Sequence, residues 1–302
     1  MFGPTSLYLG PGSDRRRAVR EGRCRVRTLC KVPSRRESRV DKDHRQQRPH
    51  NSIRTMKYQR ITLKLSGEAL NSSQSGVVAA GVVRSLIAEI AELLEAGVQI
   101  TIVTGGGNIF RGRDLERVAP QLGISPLTAD HIGMLATVMN AALLRDALST
   151  VGVNSVVFTP HGINGISKGF ARHEALRYLT TEHVVICAGG TGNPLVTTDT
   201  AAALRAAELS SQVVLKASTV DGVYDVDPAI DKTARRFETL TFDEVLQRGL
   251  KVMDAIAFTM CKEHNIPIIV YKHDDPQAMT KVVAGERCGT LIENQAEVVQ
   301  ND

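Results

Sequence analysis

The sequence predicts an α/β protein with a largely parallel sheet and helices on both faces. Three observations carry this. Short β-branched runs that read as buried strands alternate with longer stretches of helical periodicity from residue 56 to the C-terminus. The alternation is that of a sheet layered between helices. Loops rich in glycine, hydroxyls and backbone N–H donors follow the strands, where open α/β sheets bind ligands.

The elements follow in order. Ile61–Leu65 is a short strand. Val82–Ala96 sets Val83, Leu86, Ile87, Ile90, Leu93 and Leu94 on one helical stripe, and Gly97 stands where a C′ glycine stops a helix. Val98–Val103 is the next strand, and Ala129–Leu148 is a long helix rich in Met, Leu and Ala. Val153–Phe158 is a strand, Gly162–Phe170 a loop, Arg172–Leu179 a helix, and Val184–Ala188 a strand running into GGTGNP. Asp199 opens a helix to Leu209, and Val213–Lys216 is a strand. Thr241 caps a short helix and Asp254–His264 forms another. Ile266–Val270 is a strand, Pro276–Ala284 a helix and Gly289–Ile292 a last short strand.

Electrostatically the chain is two objects. Residues 1–55 hold fifteen Lys and Arg against five Asp and Glu, whereas residues 56–302 hold 22 against 27. The sequence pI of about 9.0 therefore belongs to the N-terminal segment, and the folded part is not read as a nucleic-acid binder. Residues 1–55 carry Arg runs, scattered Pro and Gly and almost no apolar periodicity. Such a segment cannot bury enough surface to offset its ordering entropy, so disorder is expected. Three explanations stand: a start placed upstream of Met56, an Arg-rich transit peptide, or a basic arm. Residues 56–302 suit one α/β domain, or two closely fused lobes. No apolar run approaches the roughly 20 residues of a bilayer span, and no membrane partner is expected. Five cysteines without CxxC or metal spacing suit a reduced compartment.

Four segments carry candidate chemistry. Lys64 in LKLSGEA is a lysine within an apolar strand, costly to bury unless an anion meets it. Ser66 and Gly67 follow with N–H groups; the alternative is an edge-strand lysine facing water. TIVTGGGNIFRGR ends a strand in Gly105, Gly106 and Gly107, which let a ligand approach the backbone, and Arg111 can fork onto phosphate oxygens. GGTGNPLVTTD, Gly189–Asp199, is rich in donors at a helix start; a plain N-cap by Thr197 or Thr198 is its simpler reading. STVDGVYDVDP, Ser218–Pro228, offers Tyr224 to a base, or is a β-turn with solvated acids. Neither GxxxxGK[ST] nor GxGxxG occurs.

Taken together, KLSGEAL, VTGGGNIFRG, ADHIGMLATVMN, GGTGNPLVTTD, VDGVYDVDP and KVMDAIAFTMC resemble the bacterial-type UMP kinases of the amino-acid kinase superfamily over residues 56–294. The resemblance implies phosphoryl transfer from MgATP to UMP in a cytoplasmic homohexamer. It implies that Lys64, Leu65, Ser66 and Gly67 hold the ATP phosphates, with Gly107 and Arg111 on the ATP side. Ser218, Tyr224 and Asp227 would line the adenosine pocket. UMP would meet Gly106, Asp130 and the run Thr191, Gly192, Asn193, Pro194, Leu195, Val196, Thr197 and Thr198. Lys64 and Arg111 would be catalytic, and Asp199 would orient Lys64 or the Mg²⁺ carried with ATP. Asp130 at the start of its helix is alternatively only an N-cap. Effectors implied are GTP and UTP. Arg145 is kept among the GTP contacts, while Ser149, Val156, Arg172 and His183 stand where relatives carry other groups, so weak or altered GTP activation is expected. Two rivals remain: a kinase of the same fold acting on a carboxylate, and a nucleotide-binding regulatory module without turnover. Carboxylate kinases usually place a second lysine in the region Leu250–Phe258, where Lys251 is displaced from the equivalent position. An acceptor phosphate is already ionised at neutral pH, so the lack of a His/Asp catalytic pair is no objection.

Overall fold

The structure is a computed structural model and describes residues 56–71, 77–110, 121, 123–250 and 252–294. Arg111 and the segment 1–55 lie outside the described residues.

Strand β1 (Arg60–Leu65) buries every residue after the first, and β2 (Gln99–Thr104) does the same. Between them α1 (Ala80–Glu95) turns Val83, Ile87, Ile90 and Leu93 inward and stops at Gly97, whose φ of 83° suits only glycine at low cost. Helix α2 (Pro126–Thr150) begins three residues before the expected start. Ser125 caps it by accepting from the Thr128 N–H, and Pro126 fills the first turn, where its missing N–H costs nothing. Strands β3 (Ser155–Thr159) and β4 (Lys168–Gly169) follow, so the segment expected to be a loop in fact supplies a two-residue edge strand. Then come α3 (Arg172–Thr180), β5 (Val184–Cys187), α4 (Thr198–Glu208) and β6 (Val213–Ser218). Beyond them lie β7 (Val223–Tyr224), β8 (Arg236–Phe237), β9 (Thr239–Thr241) and α5 (Phe242–Arg248). A capping box between Thr241 and Glu244 starts α5. Helix α6 (Ala255–Glu263), β10 (Ile268–Lys272), α7 (Ala278–Val283) and β11 (Thr290–Glu293) complete the described chain.

Nine of these strands form one sheet in the order β4-β3-β5-β2-β1-β6-β10-β11-β9. Every pairing is parallel except β10 with β11. The residue alternation of the central strands divides the core in two. Ile61, Leu63 and Leu215 face α1, α2 and α7, packing on Ile90, Leu144 and Val282. Val103, Val185 and Val214 face α3, α4, α5 and α6, packing on Leu179, Ala202, Val245 and Phe258. Helices therefore cover both faces, as the sequence predicts. Helix α2 is long and apolar enough by length and composition to cross a bilayer, against the expectation of no such run. In this fold it lies on the sheet and buries Ala141, Leu144 and Leu148 completely.

Candidate active site

The strand order decides where the four loops meet. β5, β2, β1 and β6 are consecutive neighbours and parallel, so their C-terminal ends share one edge. Ser66–Gly67 follows β1, Gly105–Gly107 follows β2, Gly189–Asp199 follows β5, and the Ser218–Pro228 turn follows β6. The first two loops touch: a Cβ on Gly105 would sit 2.7 Å from the Gly67 nitrogen, and a Cβ on Gly67 would collide with the backbone of Gly107 and Asn108. Glycine is required there because backbone meets backbone. Helix α2 clamps the pair from above. Asn140, fully buried, donates to the Gly105 carbonyl at 2.7 Å, and the Thr137 hydroxyl accepts the Gly189 N–H at 2.6 Å.

Lys64 is 4% exposed on a central strand, which removes the edge-lysine alternative. It pairs in register with Lys216 of β6, so the two ammonium groups emerge on the same face. Asp199, in the first turn of α4, accepts from both: from Lys64 through Oδ1, and from Lys216 at 2.8 Å through Oδ2. Lys216 also donates to the Val252 carbonyl at 2.5 Å. Burial alone would raise the Asp199 carboxyl, but the two ammonium groups outweigh it and hold it below the ordinary carboxylate range. Burial lowers Lys216; Asp199 opposes that and Lys64 reinforces it. One carboxylate cannot neutralise two lysines. The two ammonium groups share the one carboxylate they touch, with Asp254 a weaker negative neighbour of Lys216, and keep donor capacity at the sheet edge that an incoming phosphate could take.

A cleft of about 260 Å³ lies beside this cluster, lined by Gly106, Gly107, Asp130, Gly133, Asn193, Pro194, Val196, Thr197 and Thr198 among others. Asp130 is one turn inside α2, where Ser125 is the cap, and so is not the helix cap. Its Oδ2 accepts the N–H of Leu195 at 2.9 Å. Leu195 holds that N–H in place at a φ of 69°, a conformation unfavourable for a branched side chain, and its own side chain is exposed rather than in the cleft. Thr191 accepts the Asn193 N–H at 3.2 Å, shaping the loop. Gly192 lies against Pro160 and His161, lining a separate apolar cavity. Thr197 is the N-cap of α4, accepting the Asp199 N–H at 3.0 Å, so the simpler reading holds for this residue even though it also lines the cleft.

Beyond β6 the turn serves itself. Ser218 accepts the Val220 N–H at 3.3 Å, Tyr224 donates to Asp221 at 2.6 Å, and Asp227 accepts the Ala229 N–H at 2.9 Å. A larger cavity of about 380 Å³ adjoins Asp199, walled by Leu246, Leu250, Val252, Met253, Ala255 and Phe258. The sequence reading missed this cavity, and it missed Lys216, Asn140 and Thr137. Lys216 had a visible signal, a lysine inside the apolar run VVLKAS, the same signal that marked Lys64. Among the described residues no cluster of three or more His, Cys, Asp or Glu could hold a metal ion.

Paired lysines bridged by a helix-borne carboxylate, beside glycine loops at the edge of a parallel sheet, define a phosphate-handling α/β fold of the kinase type. Residues 59–272 match the family model described as the amino acid kinase family, and the chain belongs to that family. It is similar to the uridylate kinase of Pectobacterium atrosepticum, 47% identical over 235 residues that span 78% of this chain and 96% of the relative. The uridylate kinase of Escherichia coli strain K12 is 46% identical over the same shares. Among solved structures, the UMP kinase of Bacillus anthracis superposes with a TM-score of 0.75 at 34% identity, covering 79% of this chain and 97% of that one. The UMP kinase of Ureaplasma parvum does so at 0.72 and 35%, covering 79% and 100%.

Proposed function

We propose that this chain is a UMP kinase, transferring the γ-phosphoryl group of MgATP to UMP to give UDP and ADP. The observation that carries the reading is the adjacency of the Lys64–Asp199–Lys216 cluster to the cleft of Gly106, Asp130 and Asn193–Thr198. A phosphoryl donor at the cluster and an acceptor in the cleft would face each other. The relatives named uridylate kinase support the choice of acceptor.

The chemistry follows from the groups present. The acceptor is an ionised phosphate oxygen, so no general base is needed; the protein must position two anions and offset the charge of the transferring group. Lys64 and Lys216 supply fixed positive charge in a site shielded from water, where it acts strongly. Asp199 holds the ammonium groups apart and at a set distance. The Gly105 N–H is taken by the Leu65 carbonyl at 2.6 Å, which draws the two glycine loops together, and the N–H groups at Ser66–Gly67 and Gly106 would add donors without side-chain bulk. Asp199 is committed to two lysines, so Mg²⁺ enters with the ATP phosphates as part of the substrate. Asp130 would accept from the ribose hydroxyls of UMP. Ser218, Tyr224 and Asp227, with the cavity at Val252 and Met253, would take the adenosine. Arg111, outside the described residues, would complete the phosphate site. The homohexamer, the cytoplasmic setting and GTP or UTP control belong to the same proposal.

The second lysine of this site, Lys216, stands on β6; Lys251, the lysine of the region 250–258 where the rival carboxylate kinases usually carry theirs, lies outside the described residues, so the acceptor itself is what separates the two readings. ADP release with UMP, aspartate and acetylglutamate as acceptors tests the reading. Turnover with UMP alone is expected; turnover with a carboxylate and none with UMP would overturn it.

A further inference from the structure

Asp254 stands at the N-terminus of α6, beside the cavity wall of Val252, Met253 and Ala255. Its carboxylate makes two kinds of contact. Oδ1 accepts the Ala257 N–H at 2.8 Å and so caps its own helix. The same carboxylate reaches across to α4: Oδ2 accepts the Thr197 hydroxyl at 2.5 Å and the Thr200 N–H at 3.1 Å, and the Thr200 hydroxyl lies 2.8 Å from both oxygens. Thr197 in turn accepts the N–H of Asp199. A cap needs one acceptor and one N–H. Asp254 instead engages three donors on a second helix, in the turn that presents Asp199 to the lysines.

We propose that Asp254 is a positioning residue for phosphoryl transfer: it ties the first turn of α4 to α6 and so holds the Asp199 carboxylate between Lys64 and Lys216. This rests on reading the chain as a phosphotransferase. Asp199 sits on a helix end, where a displacement of about 1 Å is enough to cost two orders of magnitude in rate. Its bonds to Lys64 and Lys216 hold the carboxylate at its tip but not the backbone turn that carries it. The bonds from Asp254 join two helix termini, which are rigid. Its charge has a second effect: it is one of the two carboxylates that favour the protonated form of Lys216, with Asp199 the other and Lys64 opposing.

Asp254→Asn tests the idea. Asparagine caps a helix as well as aspartate does, but its amide cannot accept from Thr197 and Thr200 with both atoms. The expected result is a kcat at least tenfold lower, with the Michaelis constants for UMP and ATP within about threefold of the unmodified enzyme. A merely structural role, in which the variant loosens the fold, would instead raise the Michaelis constants or lower the melting temperature along with kcat. Thr200→Val, which removes one hydroxyl and keeps the side-chain shape, should lower kcat severalfold in the same pattern and serves if the first variant fails to fold. Unchanged kcat in either folded variant, or a lower kcat in Asp254→Asn accompanied by a more than threefold rise in either Michaelis constant, would overturn the proposal. Absence of UMP turnover in the unmodified enzyme would instead overturn the functional reading on which it rests.

Discussion

Replacing Asp130 by asparagine separates an acceptor site from ordinary helix architecture. Asp130 is not the cap of α2, so the roughly 1 kcal/mol that a lost cap costs does not apply. Its one visible bond is to the Leu195 N–H at 2.9 Å, and the carbonyl oxygen of asparagine can keep it. The melting temperature should therefore move little. What is lost is the charge facing the cleft. A hydrogen bond to a charged group contributes about 1.5–3 kcal/mol, and about 1.4 kcal/mol is a factor of ten. The Michaelis constant for UMP should then rise about tenfold to a hundredfold, while that for ATP stays within about twofold. The unmodified enzyme should discriminate against deoxy-UMP, and the variant should do so less. Steady-state assays with both acceptors on both proteins decide it. A variant that keeps the full preference for the ribonucleotide would show that Asp130 serves only to hold Leu195, and that the acceptor ribose lies elsewhere.

Other outcomes follow from the same geometry. Lys64→Met and Lys216→Met should each fold and lower kcat at least about a hundredfold, since each removes a charge aimed at the transferring group; near-normal turnover in either would remove that residue from the mechanism. Lys216 is held below the ordinary lysine range, so its ammonium is lost as pH rises through that lowered value, and kcat/KM should fall on the alkaline side before a free lysine would titrate; a profile flat to pH 10 would contradict this. Glu89 of α1 accepts the Gln277 N–H at the start of α7, where burial raises its carboxyl despite the N–H groups of Gln277, Thr280 and Met279. A raised folded value means stability present below the unfolded carboxyl value of about 4.3 and lost as pH rises through the folded one. Thermal melts should therefore show the unmodified protein gaining on Glu89→Gln as pH falls from 7 toward 4.5, and parallel curves would refute the assignment. GTP activation should be weak or altered, because Arg145 is engaged with Asp146 and with the Ile166 carbonyl, Arg172 with the Glu208 carbonyl and His183 with the Thr181 carbonyl, while Ser149 and Val156 offer no charge; strong activation at micromolar GTP would refute that.

Sequence by itself determined the layers and the parts of the site that are local. Alternation of buried strands with helical stripes, Gly97 after α1 and the Thr241 cap before α5 are decided within a few residues, so they were legible. Gly105–Gly107 declared themselves for the same reason, while the sequence left the cap of α4 to Thr197 or Thr198 and the structure chose Thr197. Boundaries moved where a cap lay just outside the apolar pattern, as Ser125 did for α2, and the short strand β4 forms only because β3 offers it an edge. Tertiary structure alone decided the order β5-β2-β1-β6, which gathers four loops from across the chain on one edge. It decided that Lys64 and Lys216 stand side by side and share a carboxylate 135 residues from the first of them. It also decided that Asp254, which a sequence shows as a helix start, bonds to a second helix. The physical reason is that a charge buried in a strand states its own need for a partner, but which distant segment supplies that partner depends on strand pairing and helix packing, which nothing local encodes.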